Sequence, residues 1–205
     1  IFSLARTGTR GAINAAIGNK YQLERDYRAS GSSPLEFVRH YNSLGYNDNA
    51  YTPFRLMGFR WRNNYERSVK QISATSITSA FVTRPDGRVV TFTLSGGNWV
   101  PDADITAKLV RLVDGGGNIT GWVYTGPDDE VENYDAGGKL ITLVSRTGIT
   151  QTLSYSTSST PSSVAPVPGL LIQVTDSFGK QLNFTYDSLR RVKTLTDPGG
   201  GVYTY

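Results

Sequence analysis

Along most of this chain apolar and polar residues alternate in short runs, the period of a half-buried β-strand. In Leu35-Glu36-Phe37-Val38-Arg39-His40-Tyr41 the alternation puts Leu35, Phe37, Arg39 and Tyr41 on one face and Glu36, Val38 and His40 on the other. Together with Lys20–Tyr27 and the turn-forming run Ser30-Gly31-Ser32-Ser33-Pro34, it predicts a hairpin. Gly58 to Lys70 predicts one further strand, with Phe59, Trp61, Asn63 and Tyr65 on one side. Residues 1–18 read as an irregular or extended arm, and 42–53 as a loop rich in Asn, Tyr and Gly. Pro85-Asp86-Gly87 between Ala80–Thr83 and Val89–Leu94 is a strong hairpin signal. The β pattern continues through Asn98–Val100, Ala107–Arg111 and Gly121–Thr125, with a turn at Asp114–Asn118. Residues 103–112 read equally well as a short helix or a strand. The expected class is all-β, built from consecutive antiparallel hairpins.

From residue 134 the strands fall into a repeat. Tyr134-Asp135-Ala136-Gly137-Gly138-Lys139-Leu140 returns as Tyr186-Asp187-Ser188-Leu189-Arg190-Arg191-Val192. Between such pairs, Leu143–Gly148 leads to Tyr155, Val174–Gly179 leads to Tyr186, and Leu195-Thr196-Asp197-Pro198-Gly199 leads to Tyr203-Thr204-Tyr205. Each unit reads as strand, tight turn, strand, and Ser156–Ser163 reads as an inserted loop of about 156–168. Units of this kind cannot bury an apolar face alone, so they stack into a wall.

Composition narrows the class without naming a chemistry. Gly (22) and Tyr (12) are abundant in 205 residues, which suits many short strands joined by turns. The chain has no cysteine, which excludes disulfides and thiolate sites, and one histidine, His40, which excludes a multi-histidine metal centre. No run reaches the roughly 20 apolar residues of a spanning helix. Charge is uneven: residues 1–70 hold 11 Lys/Arg against 5 Asp/Glu, and residues 71–205 hold 10 against 12. The basic run interleaves aromatics, as in Phe59-Arg60-Trp61-Arg62 and Tyr65-Glu66-Arg67. It suits either phosphates and bases or internal packing of Arg on aromatic rings and acids; the second reading is the one expected, with nucleic acid not a partner.

The repeat half resembles the Tyr-Asp, basic or Gly, Leu, Thr-Asp-Pro-x-Gly pattern of Rhs (rearrangement hot spot) or YD-repeat proteins, whose relatives include toxin-complex C subunits and teneurins. The first 70 residues are similar to the segment that precedes the repeats in that family. The matching residues are Ile13-Asn14, Gly18-Asn19-Lys20, Glu24-Arg25-Asp26-Tyr27, Pro34-Leu35-Glu36-Phe37-Val38-Arg39-His40-Tyr41-Asn42-Ser43 and Met57-Gly58-Phe59-Arg60-Trp61. Ala12, Ile17 and Ser145 depart from the family's usual Pro, Thr and Asp. The resemblance implies a pre-repeat segment over 1–70, a β-rich connection over 71–130 and YD repeats over 131–205 that continue in a longer protein. The last strand run, Val202–Tyr205, stops where a further unit is expected, and a start at Ile1 rather than Met also suggests a processed or truncated chain.

The resemblance further implies a β-sheet spiralling into a hollow shell around a C-terminal toxic domain. The expected function is a structural part of that cocoon, delivered by a bacterial secretion system in competition between bacteria. The expected partners are the rest of the shell, the enclosed toxin and a delivery-apparatus protein. The residues expected to carry the structure are Pro34, Leu35, Phe37, Arg39, Tyr41, Asn42, Trp61, Tyr134, Asp135, Tyr186, Asp187, Asp197, Pro198 and Gly199. The alternative is a β-rich surface module in which Tyr faces stack glycans or meet a partner protein. A hydrolase is disfavoured: no nucleophile elbow or phosphate loop is present, and Asp197-Pro198-Gly199 only superficially resembles the family's self-cleavage motif. Asp102/Asp104 and Asp128-Asp129-Glu130 lack the spacing of a calcium loop, so no metal or cofactor is expected.

Overall fold

The structure is a computed structural model that describes residues 12–31, 34–44, 56–73 and 78–205. Among them there is no helix and every strand pairing is antiparallel. A first sheet holds β1 (Ala12–Asn14), β2 (Asn19–Arg28), β3 (Glu36–Asn42) and β4 (Trp61–Asn63) in sequence order. A second sheet holds thirteen strands, again in sequence order. Its first half is β5 (Ser68–Ser73), β6 (Thr78–Thr83), β7 (Val89–Ser95), β8 (Asn98–Pro101), β9 (Lys108–Val113) and β10 (Ile119–Thr125). Its second half is β11 (Val131–Asp135), β12 (Leu140–Val144), β13 (Thr150–Tyr155), β14 (Leu171–Asp176), β15 (Gln181–Tyr186), β16 (Val192–Thr196) and β17 (Val202–Thr204). The chain is thus a run of hairpins in which each strand pairs with its neighbour in sequence, as the pattern predicts.

Two readings change. The stretch Gly58–Lys70 is not one strand but β4 and β5 separated by a turn. The Asn63 carboxamide accepts the Tyr65 N–H (2.9 Å), and Asn64 reaches across to β3, where its Oδ1 accepts the Val38 N–H (3.0 Å). Asparagine side chains that bond nearby backbone stop a strand despite good alternation. Residues 103–112 resolve as a turn, with the Ile105 N–H on the Asp102 carbonyl (2.9 Å), followed by β9. The arm predicted over 1–18 enters the described residues as β1, and its first 11 residues lie outside them, as does most of the loop over 42–53.

The repeat period has a single turn geometry behind it. At Asp114, Asp176, Asp187 and Asp197 one carboxylate oxygen accepts the N–H groups two and four residues on, at 2.8–2.9 Å. Asp135 accepts the Lys139 N–H (2.8 Å), and at the departure Ser145 the hydroxyl takes the Ile149 N–H (3.1 Å). The residue three after each acid has positive φ: Gly117, Gly138, Gly179 and Gly200, and in one copy Arg190 at 66°.

The strand that closes each unit carries a bulge in its partner, opposite the repeat tyrosine. Tyr134 pairs with Leu140, Tyr155 with Leu171 and Tyr186 with Val192, and each time the register slips by one residue. Bulges bend and twist a sheet, which curls the thirteen strands instead of leaving them flat. The curl brings the edge strand β5 to the β11–β12 turn, where Val69 N–H donates to the Gly138 carbonyl (3.0 Å) and Ser68 bridges Lys139.

The four-stranded sheet lies against the concave side. One continuous core runs from Leu35 and Phe37 through Val82, Phe92, Trp99 and Trp122 to Leu182, Phe184 and Leu195. The insertion between β13 and β14 closes one end: Ser156 donates to the Val167 carbonyl (2.8 Å), and the Val164 carbonyl accepts the Tyr186 N–H (2.9 Å).

A Cβ on Gly138 would sit 1.7 Å from the Val69 carbonyl oxygen, whereas one on Gly148, at the same place in its turn, would meet nothing. Gly148→Ala should cost about 1–2 kcal/mol from its left-handed backbone alone. Gly138→Ala should cost more than about 3 kcal/mol, because backbone must move. Equal denaturant midpoints for the two variants would show that the β5 edge is not clamped there.

Candidate functional site

The residues singled out in the first 70 positions gather at the joint where the small sheet meets the large one. Leu35 and Phe37 are fully buried, and the Phe37 ring packs on Phe184 (5.5 Å between centroids) and Tyr205 (5.8 Å). Asp26 is the extra residue of a bulge in β2, which turns its carboxylate toward Arg39. The pair is bidentate, at 2.6 and 2.8 Å, and Asp26 also accepts the Tyr205 hydroxyl (2.7 Å). The Arg39 guanidinium lies between the rings of Trp61 (5.1 Å) and Tyr205 (5.3 Å), and Tyr41 packs on Trp61. Asn42 donates to the Asp86 carbonyl in the β6–β7 turn (2.8 Å), and the Pro34 carbonyl accepts from Gln151 (3.3 Å). The motif Pro34–Asn42 therefore ties β3 to both halves of the large sheet.

The repeat residues serve the wall itself. Tyr155 and Tyr186 each donate to a carbonyl 15 residues upstream, Leu140 and Leu171, at 2.7 Å. Tyr134 and Tyr186 are buried, and burial pushes the phenols of Tyr134, Tyr155 and Tyr186 well above their ordinary range. Asp135, Asp187 and Asp197 cap turns, with Pro198 and Gly199 inside the last of them. At Asp187 desolvation pushes the carboxyl up, but the Arg191 N–H and side chain outweigh it and hold it below the usual range.

Sequence reasoning missed a buried ion cluster beside the joint. Glu132 on β11 is 1 % exposed and accepts two hydrogen bonds of 2.7 Å from Arg84. It also pairs with Arg67, which leads from the joint into β5, and accepts the Tyr134 hydroxyl. Arg67 reaches Glu130 as well. Burial pushes the Glu132 carboxyl up, and Arg67, then Arg84 and Tyr134, outweigh it and hold it below the ordinary carboxylate range. The sequence signal was the basic-aromatic run at 59–67 and the acids at 128–132, but their partnership spans more than 60 residues. For Arg67 the internal-packing reading of that run holds.

The chemistry on offer here is recognition between sheets. His40 bonds the Tyr21 hydroxyl through Nδ1 (2.8 Å), and burial lowers its pKa against the pull of Asp86. Among the described residues no group of three or more His, Asp and Glu gathers to hold an ion, and no helix is long and apolar enough to cross a membrane. Of the acids weighed for calcium, Glu130 pairs with Arg67 and Asp129 with Arg146 (3.5 Å).

Comparison with known families bears on both sheets. Residues 169–202, from the end of the insertion to the start of β17, match the family model described as RHS Repeat. The chain carries an Rhs, or YD, repeat. Residues 10–92 match the model described as Domain of unknown function (DUF6531), which here covers the small sheet, the joint and β5 to β7. A search of curated proteins finds no match. The repeat match supports an Rhs-type structural role, and the matched segments build and brace the wall.

Substitutions at two positions separate the turn from the ion cluster. Asp187→Ala removes an acceptor shared by two N–H groups and should cost about 1–2 kcal/mol, while Asp187→Asn, which keeps an oxygen there, should cost less than half of that. Glu132→Ala leaves two buried guanidiniums without their shared partner and should cost about 3–5 kcal/mol. Because the Glu132 pKa is lowered in the fold, its contribution is present above the unfolded carboxylate pKa and lost as pH falls through the folded value. Denaturant melts at neutral and acidic pH test both; a Glu132→Ala cost unchanged on acidification would contradict the ionised cluster.

Proposed function

We propose that this chain is the closing end of an Rhs-type β-cocoon that encapsulates a C-terminal toxic domain for delivery in bacterial competition, and that it has no catalytic activity of its own. The observation that carries the reading is the filled concavity. The curled sheet turns its inner face not to an open lumen but to the small sheet, through the unbroken core from Phe37 to Phe184. A shell that confines a folded cargo needs such a stopper at its end, and the stopper needs specific ties to the wall, which Asp26, Asn42 and Tyr65 supply. Its partners would be the remaining shell, the enclosed toxin and a delivery-apparatus protein, in a protein secreted or exported by a bacterial secretion system.

A second reading, a surface module for a partner protein, draws on the exposed apolar residues Val100, Val110 and Leu112 on β8 and β9. Its glycan version is weakened by the repeat tyrosines: Tyr134 and Tyr186 are buried with their hydroxyls engaged, so neither offers a face to a sugar.

The test uses an Rhs protein that carries this segment ahead of its complete repeats and toxic domain. Phe37→Asp, which charges the centre of the core, should leave the wall strands paired but expose the toxic domain to added protease and to its immunity partner. Protection equal to that of the unsubstituted protein would reject the stopper role.

A further inference from the structure

The joint contains one buried acid that neither the wall nor the ion cluster employs. Glu66 sits in the turn between β4 and β5, the only covalent passage between the two sheets, and is 9 % exposed. Its Oε1 accepts the backbone N–H of Asn63 (2.9 Å) and the Asn63 carboxamide N–H (3.0 Å). The same turn fixes the small sheet: Asn64 exchanges bonds with Val38 on β3 (3.0 Å each way), and the Tyr65 hydroxyl donates to the Glu36 carbonyl (2.9 Å) and to Gln151 on β13 (3.2 Å). Whatever displaces Glu66 therefore disturbs contacts to both sheets.

The charged groups around Glu66 compensate its charge only in part. From β4, Arg62 spends Nη2 on the Glu66 carbonyl (2.9 Å) rather than on its carboxylate, and its Nε is buried without a partner. Arg67, next in the chain, is committed to Glu130 and Glu132. From β15, Tyr186 faces Glu66 with its hydroxyl given to the Leu171 carbonyl, and the acid's charge adds to the burial that raises the phenol. From β3, His40 lies near Arg62 and Arg67, and burial keeps it neutral at and above neutral pH.

We propose that Glu66 is a proton-operated latch: with its carboxyl protonated the joint is closed and the small sheet stays seated, and ionisation loosens the joint. Burial pushes this carboxyl up to about 7, against the smaller opposing pull of Arg62 and the Asn63 N–H. A pKa raised in the fold gives a contribution that is complete below the unfolded carboxylate pKa and is lost as pH rises through about 7. The stopper is thus held most firmly in acidic surroundings and eased progressively as the pH rises to neutrality and beyond. The latch is a property of the joint and stands whether or not the shell encloses a toxin.

The test follows hydrogen-exchange protection factors in the full chain from about pH 6 to about pH 8.5. Protection of the Val38 and Asn64 amides should fall about tenfold while that of β11 to β13 holds, and Glu66→Gln, which keeps the acceptor but cannot ionise, should abolish the fall. The same fall in Glu66→Gln, or an equal fall in every strand, overturns the latch. Should the variant fold poorly, the carboxyl carbon resonance of Glu66 in the unsubstituted chain decides: a midpoint near 7 supports the latch, and one in the ordinary carboxylate range ends it.

Discussion

A meander of thirteen strands has to bury one face, and a flat sheet offers that face nothing to lie against. Every other feature of this structure answers that constraint. Each wall unit places a bulge opposite its tyrosine, so that bending recurs at Tyr134, Tyr155 and Tyr186. The tyrosine then stitches the bend, its hydroxyl bonding a carbonyl across the unit at Tyr155 and Tyr186. Burying a phenol is favourable only when its O–H finds a partner, and the bend delivers one. The aspartate that follows Tyr134 and Tyr186 has a separate task, holding the next tight turn through backbone N–H groups. Tyrosine and aspartate recur together because a bend and a reversal must come in succession.

Curling alone would leave the concave side and the β5 edge open. The edge is closed by the wall itself, through Val69 on Gly138, and the concavity by the small sheet. An unpaired edge is a template for wrong pairing, so satisfying it from within the same sheet also protects the fold. The apolar part of the packing, Leu35 and Phe37 against Phe184 and Leu195, supplies most of the favourable burial. Polar groups set the orientation instead. The Arg39–Asp26 pair between Trp61 and Tyr205 tolerates few geometries, since a planar guanidinium has to meet a carboxylate and two rings at once.

How much of this was legible in the sequence depended on range. The hairpin around Pro85-Asp86-Gly87 and the capped turns at Asp114, Asp135, Asp176, Asp187 and Asp197 are written in adjacent residues, and pattern reading finds them. The face of β3 carrying Phe37, Arg39 and Tyr41 was legible for the same reason, although Val38 on the other face is buried too. The break after Asn63 was not. Alternation continued through Tyr65, and only the side-chain bonds of Asn63 and Asn64, one of them to a strand 26 residues earlier, reveal a turn. Glu132 was invisible for a deeper reason: an acid within an alternating strand reads as solvent-facing, and its two arginines come from elements that only the curl brings near it.

The joint is built mainly of polar groups, although apolar packing of the same volume is commonly as stable or more so. Stability alone therefore does not account for an Asn63-Asn64-Tyr65-Glu66-Arg67 passage between two well-packed sheets. Polar groups differ from apolar ones in tolerating few arrangements and in responding to protons. The first property fixes one seating of the small sheet, since Asn64, Tyr65 and Arg67 have specified partners on β3, on β13 and in the β10–β11 turn respectively. The second resides in Glu66, whose buried carboxyl accepts bonds, among the described residues, from Asn63 alone, while Arg62 spends its Nη2 on the Glu66 carbonyl and Arg67 pairs with Glu130 and Glu132. A seat that must be unique and also reversible needs both properties. A stretch of five residues that carries them suffices, because the apolar core on either side already provides the adhesion.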